Sequence, residues 1–182
     1  MKTRLFRTLK VAVAVAVIAT IFALPASLFA AGGSVNAQSP ATPEPIVGFW
    51  YITLVAKGNQ AGPPDGTVID WGLQQWQSDG TEILNSGSGP KRFCLGVWAK
   101  GKGPSTYVLN HFPIDYPDAT TLHILNLRED VTVSHNHRSM TGTFTFDVYD
   151  AAGTLLQHIA GNVAGHRITV GSSVQSILPP TP

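Results

Sequence analysis

The residues from Ile46 to Val170 predict an all-β fold, about eight antiparallel strands closed into an up-and-down barrel, and three observations carry that prediction. Apolar and polar residues alternate with a period of two, most plainly in Ser139 to Asp150, where Met140, Phe144, Phe146 and Val148 oppose Thr141, Thr143, Thr145 and Asp147. Short clusters of Gly, Pro and Asp separate the runs, which favours successive strands as neighbours. No stretch of this span has a convincing helical period, and an open sheet of such length would leave two unpaired edges that closure removes. A two-sheet sandwich is the alternative. Eight strands enclose room for packed side chains or one small ligand.

Taken in order, Met1 to Ala37 reads as a signal peptide. A basic start, MKTRLFRTLK, precedes the apolar run VAVAVAVIATIFAL, and Val35-Asn36-Ala37 supplies a cleavage site before Gln38. An uncleaved membrane anchor is the competing reading of the same stretch, and would be the only contact with a membrane. Either way the domain that follows is exported, to a periplasm or beyond the cell. Residues 38–45, QSPATPEP, form a Pro-rich linker whose fixed φ angles and missing N–H groups keep it out of a sheet. The barrel domain is expected over 46–170 and a flexible C-terminal tail over 171–182.

Within the domain, IVGFWYITLVAK is a first strand with Gly48, Trp50, Ile52 and Leu54 on one face. Asn59 to Asp65 is a loop by its Gly and Pro content. Two strands then fold back on each other between Thr67 and Ser86, and Gly87 to Pro90 turns the chain into RFCLGVWAK. There Gly96 in mid-strand marks a bend or a close approach to the backbone. STYVLNHF places Tyr107, Leu109 and His111 on one face, and Pro113 to Ala119 is a loop. In Thr120 to Ser134, Leu125, Leu127, Val131 and Val133 are in phase with Glu129 between them. The last run, TLLQHIAGNVAGHRITV, is a strand with a bend near Gly161 or Gly165.

Composition narrows the function. The net charge of +1 is carried by the leader: without Lys2, Arg4, Arg7 and Lys10, eight basic residues face eleven acids, a balance of −3. No basic stripe remains for phosphate, so nucleic-acid binding is not expected. The lone cysteine, Cys94, excludes an internal disulfide and reads as a buried structural thiol. His135 and His137 flank Asn136 in an expected turn without a third ligand at diagnostic spacing, so no metal is predicted. Phosphate loops, dinucleotide fingerprints, Gly-x-Ser-x-Gly and His-Glu-x-x-His are all missing, and no cofactor is expected.

The candidate site follows from the central hairpin, TVIDWGLQQWQSDGTEILNS. Asp79-Gly80 suits a two-residue type I′ turn, because both positions tolerate positive φ. That register pairs Trp76 with Ile83 and Gln74 with Asn85. It puts Asp70, Gln74, Trp76, Ile83 and Asn85 on one face, with Glu82 and Leu84 on the other. A face mixing an aromatic, a carboxylate and amides is poor core and suits a pocket, although a self-satisfied polar cluster that pins the register is the equal alternative. Adding the later strands, the ligand-binding set is Asp70, Gln74, Trp76, Asn85 and Trp98, with Asn110, His111, Phe144 and Phe146. The expected occupant is a small apolar or amphipathic molecule. A barrel enzyme of isomerase or cyclase type, moving a proton with Asp70 or His111, is a second reading. A structural surface domain with a filled barrel is a third.

Gly48-Phe49-Trp50 near the start of the first strand resembles the Gly-x-Trp of lipocalins and the wider calycin barrels, and the strand count is similar. The resemblance implies a barrel whose mouth admits a small, largely apolar molecule, and it implies a structural role for Trp50 in closing the barrel floor. Paired cysteines, a C-terminal helix and a second family motif are not seen in this sequence.

Overall fold

In a computed structural model, residues 42–88 and 93–180 are described. The leader expected at 1–37, the first half of the linker, residues 89–92 around the start of the expected fourth strand, and the last two residues of the expected tail lie outside them.

Among the described residues nine strands follow in chain order: β1 Gly48–Ala56, β2 Val68–Trp76, β3 Thr81–Ser86, β4 Phe93–Lys100, β5 Thr106–His111, β6 Ile114–Asp115, β7 His123–Val133, β8 Ser139–Asp150 and β9 Leu155–Arg167. Sequence neighbours pair antiparallel, except that β5 and β6 do not pair with each other; β9 pairs with β1, and β5 pairs with β7. These last two pairings close the sheet into an eight-stranded up-and-down barrel, which excludes the two-sheet sandwich. The two residues of β6 prolong β5 in the same register along β7, after Pro113, which has no N–H for the ladder, interrupts it.

The period-two pattern decides what lies inside. Trp50, Ile52, Leu54 and Ala56 of β1 are buried, as are Leu125, Leu127, Val131 and Val133 of β7, while Phe144 and Met140 cover them from β8. Each of the Val, Leu, Ile, Phe and Met side chains among them contributes about 1.5–3 kcal/mol on leaving water. Where a bend was expected near Gly161 or Gly165, β9 runs on as one strand through both glycines. Gly161 yields space to the Phe144 ring, 2.5 Å from where a Cβ would stand.

One end of the barrel is sealed. Trp50 is fully buried there and its indole N–H donates to Ile46 O at 2.8 Å. The Arg167 guanidinium lies 4.2 Å above the Trp50 ring and donates to the carbonyls of Pro45, Val47 and His137. Gly48 makes this possible, since a Cβ at that position would sit 2.1 Å from Arg167 Nη1. Glu44 joins the same end to β4 and β5, taking Lys100 Nζ at 2.8 Å and the Tyr107 hydroxyl at 3.2 Å. The segment after β9 holds a 3₁₀ turn, Val174–Ile177. It is tied to the outer wall by Tyr51 Oη donating to Leu178 O and by His166 Nε2 against Ser176 O.

Candidate functional site

The β2–β3 hairpin sets the inner surface, and its register differs from the sequence expectation by one residue. Trp76 pairs with Glu82, Gln74 with Leu84 and Gly72 with Ser86. Gln77 N bonds Thr81 O at 2.9 Å, so the loop is the three residues Ser78-Asp79-Gly80, closed by Gly80 at φ +89°. A type I turn followed by a left-handed glycine accounts for that length. Because side chains alternate, the slip turns all of β3 over. Glu82, Leu84 and Ser86 point inward, whereas Ile83 and Asn85 face out and Asn85 is exposed. Asp70 and Glu82 therefore share the inner face, contrary to the expected register.

The inward turn of Glu82 has a chemical consequence. Glu82 on β3, Gly96 on β4 and His111 on β5 form one row across the sheet. A Cβ at Gly96 would lie 2.5 Å from His111 Cβ and 2.7 Å from Glu82 Oε2, so the glycine clears a path between its neighbours. Through it Glu82 Oε2 reaches His111 Nδ1 at 3.0 Å, and neither side chain is exposed to solvent. The mid-strand Gly96 thus marks a close approach, one of the two roles expected of it.

A second buried acid faces this pair from β7. Glu129 accepts from Gln74 Nε2 at 3.3 Å, and Gln74 Oε1 accepts the Trp76 indole N–H at 2.9 Å. Burial, and next the charge of Glu82, push the Glu129 carboxyl up to about 8, against which the Gln74 hydrogen bond acts only weakly. Three polar atoms of this cluster, Glu82 Oε1, His111 Nε2 and Glu129 Oε2, are buried with no hydrogen-bond partner among the described residues.

Toward the open end, Asp70 Oδ1 accepts from Trp71 N at 2.7 Å, Ser86 Oγ at 2.8 Å and Ser88 N at 3.2 Å. The expected partners Gln74 and Asn85 are replaced by serines and main chain. Asp70, Ser86, Cys94, His111, Leu127 and Phe146 surround an internal void of about 10 Å³, close to the volume of one water. Leu125 and Phe146 line both this void and a cavity of about 980 Å³ at the mouth, walled also by Val148, Gln157 and the loop Gly58 to Gly62. His158, paired with Asp147, and His123 stand on its rim.

Of the expected set, the structure brings Asp70, His111 and Phe146 together around the void. Gln74, Trp76, Trp98 and Phe144 pack lower down. The Trp76 and Trp98 rings are 5.9 Å apart, and Trp98 donates to Gln77 O at 2.9 Å, so the indoles find the partners that burial demands. Asn110 points outward, accepting from Asn126 Nδ2 at 2.5 Å. His111 is bonded to Glu82, and Asp70 lines the same small void without bonding it. The two buried acids that sequence reasoning left out of the site are Glu82 and Glu129. Glu129 had a signal, an acid in phase with four buried aliphatics; Glu82 had none while the turn was read as two residues. Compared with protein-family models, with curated proteins and with solved structures, the chain matches none of them.

Proposed function

We propose that this protein is an exported, lipocalin-like barrel that binds one small apolar or amphipathic molecule at its open end. The observation that carries the reading is the inequality of the two ends. Trp50, Ile46 and Arg167 stopper one, while the other opens into a cavity of about 980 Å³ walled by Leu125, Phe146 and Val148. Mouths of barrels are a preferred place for such sites, and the volume suits a drug-sized ligand. Gly48 and Trp50, placed together at a sealed floor, support the lipocalin likeness. In this reading Phe146 contacts the apolar part of the ligand, Asp70 and His111 meet any polar end, and Gln74, Trp76, Trp98 and Phe144 hold the wall from below. Asn85 and Asn110 have no part in it, because they face outward. No cofactor takes part.

The test is titration with the apolar fluorophore N-phenyl-1-naphthylamine. The protein should enhance its emission saturably, and Val148→Arg should weaken binding by roughly tenfold or more, since a long cationic side chain can block the mouth while reaching water. Absence of saturable binding, or equal affinity in the variant, rules the mouth out.

The Glu82–His111 pair favours a second reading, an isomerase or cyclase in which His111 moves a proton. A molecule recovered with the protein, identified by mass spectrometry and incubated with it, should then change structure. Recovery of the molecule unaltered removes this reading.

A further inference from the structure

We propose that the outer wall over β4 and β5 is the interface of a two-fold dimer, and that what covers it is a second copy of this chain. Side-chain alternation lays the surface out. Cys94 and Trp98 of β4 pack into the interior, so Phe93, Leu95 and Val97 face outward, and they are 60–65% exposed. Val108, Phe112 and Ile114 continue the patch along β5 and β6 at 41–60%. Phe112 N donates to Leu95 O at 3.2 Å, which sets those two side chains next to each other on the outer face. Where the same barrel meets only water its outward row is different: β8 shows Thr141, Thr143, Thr145 and Asp147. The apolar row on β4 and β5 fills no part of the interior, so the fold alone gives no reason for it.

Area and charge decide what covers it. The six side chains expose on the order of 600 Å² of apolar surface, at the top of the range for one patch on a monomer. A standard dimer takes about 800 Å² from each copy, about 65% of it apolar, so this wall is large enough for one. Its border does not suit a lipid surface, which calls for clustered cations. Arg128 and Asp130, exposed on β7 beside Asn110 and Val108, bring opposite signs to it, and beyond the leader acids outnumber bases by three. Apolar residues are shared equally, three on β4 and three on β5 with β6. A two-fold axis running along the strands therefore lays β4 of each copy over β5 of the other, with Leu95 against the partner's Phe112 at two equivalent places. Both strands are already paired on each side, so side chains rather than main chain make the contact.

Sedimentation velocity of the exported protein tests this. At about 50 µM, above the weak end of the affinities found for interfaces of this size, it should sediment as a dimer. Leu95→Glu and Phe112→Lys change solvent-facing positions, and each variant alone should sediment as a monomer with its far-ultraviolet strand signal unchanged. Mixing the two variants should restore a dimer, because the new glutamate of one chain meets the new lysine of the other while Leu95 and Phe112 meet at the second place. A monomeric parent, a dimer that survives both substitutions, or a mixture that stays monomeric overturns the proposal. Flotation of the parent with vesicles of phosphatidylcholine and phosphatidylglycerol, lost in Leu95→Glu, gives the face to lipid and overturns it as well. Should a variant not fold, hydroxyl-radical footprinting of the unaltered protein decides. Raising its concentration from about 1 to about 100 µM should protect Phe93 and Phe112 but not Phe49, which is exposed on β1. Protection that spares Phe93 and Phe112, or that extends to Phe49, overturns the interface.

Discussion

Glu82 and His111 meet only because residue 96 has no side chain, and a single methyl group there should be felt throughout the inner face. Gly96→Ala places a Cβ within 2.7 Å of both partners. Strain plus separation of a buried pair should cost about 2–4 kcal/mol in urea unfolding; a loss below about 1 kcal/mol would mean that the pair does not span the glycine. Glu129 gives the pH counterpart. Its folded carboxyl keeps a proton up to about pH 8, whereas the unfolded chain releases it near 4.5, so the native state binds more protons between those values. The stability it contributes is therefore complete below about pH 4.5 and declines as pH rises toward 8, by no more than about 5 kcal/mol. Glu129→Gln should flatten this decline and make the protein more stable than its parent at pH 8. Parallel stability curves for the two proteins between pH 5 and 8 would refute that. At this scale the sequence was partly readable: Gly96 announced a close approach and Glu129 stood in phase with buried aliphatics. The partner of His111 was hidden, because it depends on a register that no single residue declares.

The hairpin shows how an element hides its own site. Ser-Asp-Gly accommodates either a two-residue turn at Asp79-Gly80 or a three-residue loop with glycine last, and both give Gly80 a positive φ. The choice rests on packing across the barrel: the three-residue loop buries Leu84 against β4 and gives Glu82 a partner, while the two-residue turn would bury Asn85 instead. Substitution separates the registers cleanly. Asn85→Arg sits on the solvent face and should change stability by no more than about 0.5 kcal/mol. Leu84→Arg puts a charge into a fully buried position and should leave the protein unfolded, read as loss of the far-ultraviolet strand signal and of cooperative melting. Tolerance of Leu84→Arg with loss of fold in Asn85→Arg would restore the two-residue turn. The outer strands held no such ambiguity. Alternation in β7 and β8 is long enough, at 11 and 12 residues, that a slip would expose a whole row of aliphatics, and their faces were legible from the start.

For the molecule as a whole, closure was legible because eight strands linked by short turns have no other way to hide their edges, whereas the division into a sealed and an open end was not. It depends on Arg167 returning from the last strand to a tryptophan more than a hundred residues earlier, a contact that alternation cannot encode. That arginine stitches together the entry to β1, the β7–β8 turn and β9 through three carbonyls and one ring. Arg167→Met keeps much of the hydrocarbon over Trp50 but leaves the carbonyls of Pro45, Val47 and His137 without their donor. Unpaired carbonyls and the lost cation–π contact should together lower stability by about 2–4 kcal/mol. The mouth lies at the other end of the same strands, so the folded variant should bind N-phenyl-1-naphthylamine as its parent does, its lower urea midpoint notwithstanding. Affinity falling in step with stability would mean that the two ends are coupled through the barrel wall, and that the floor helps shape the site rather than only supporting it.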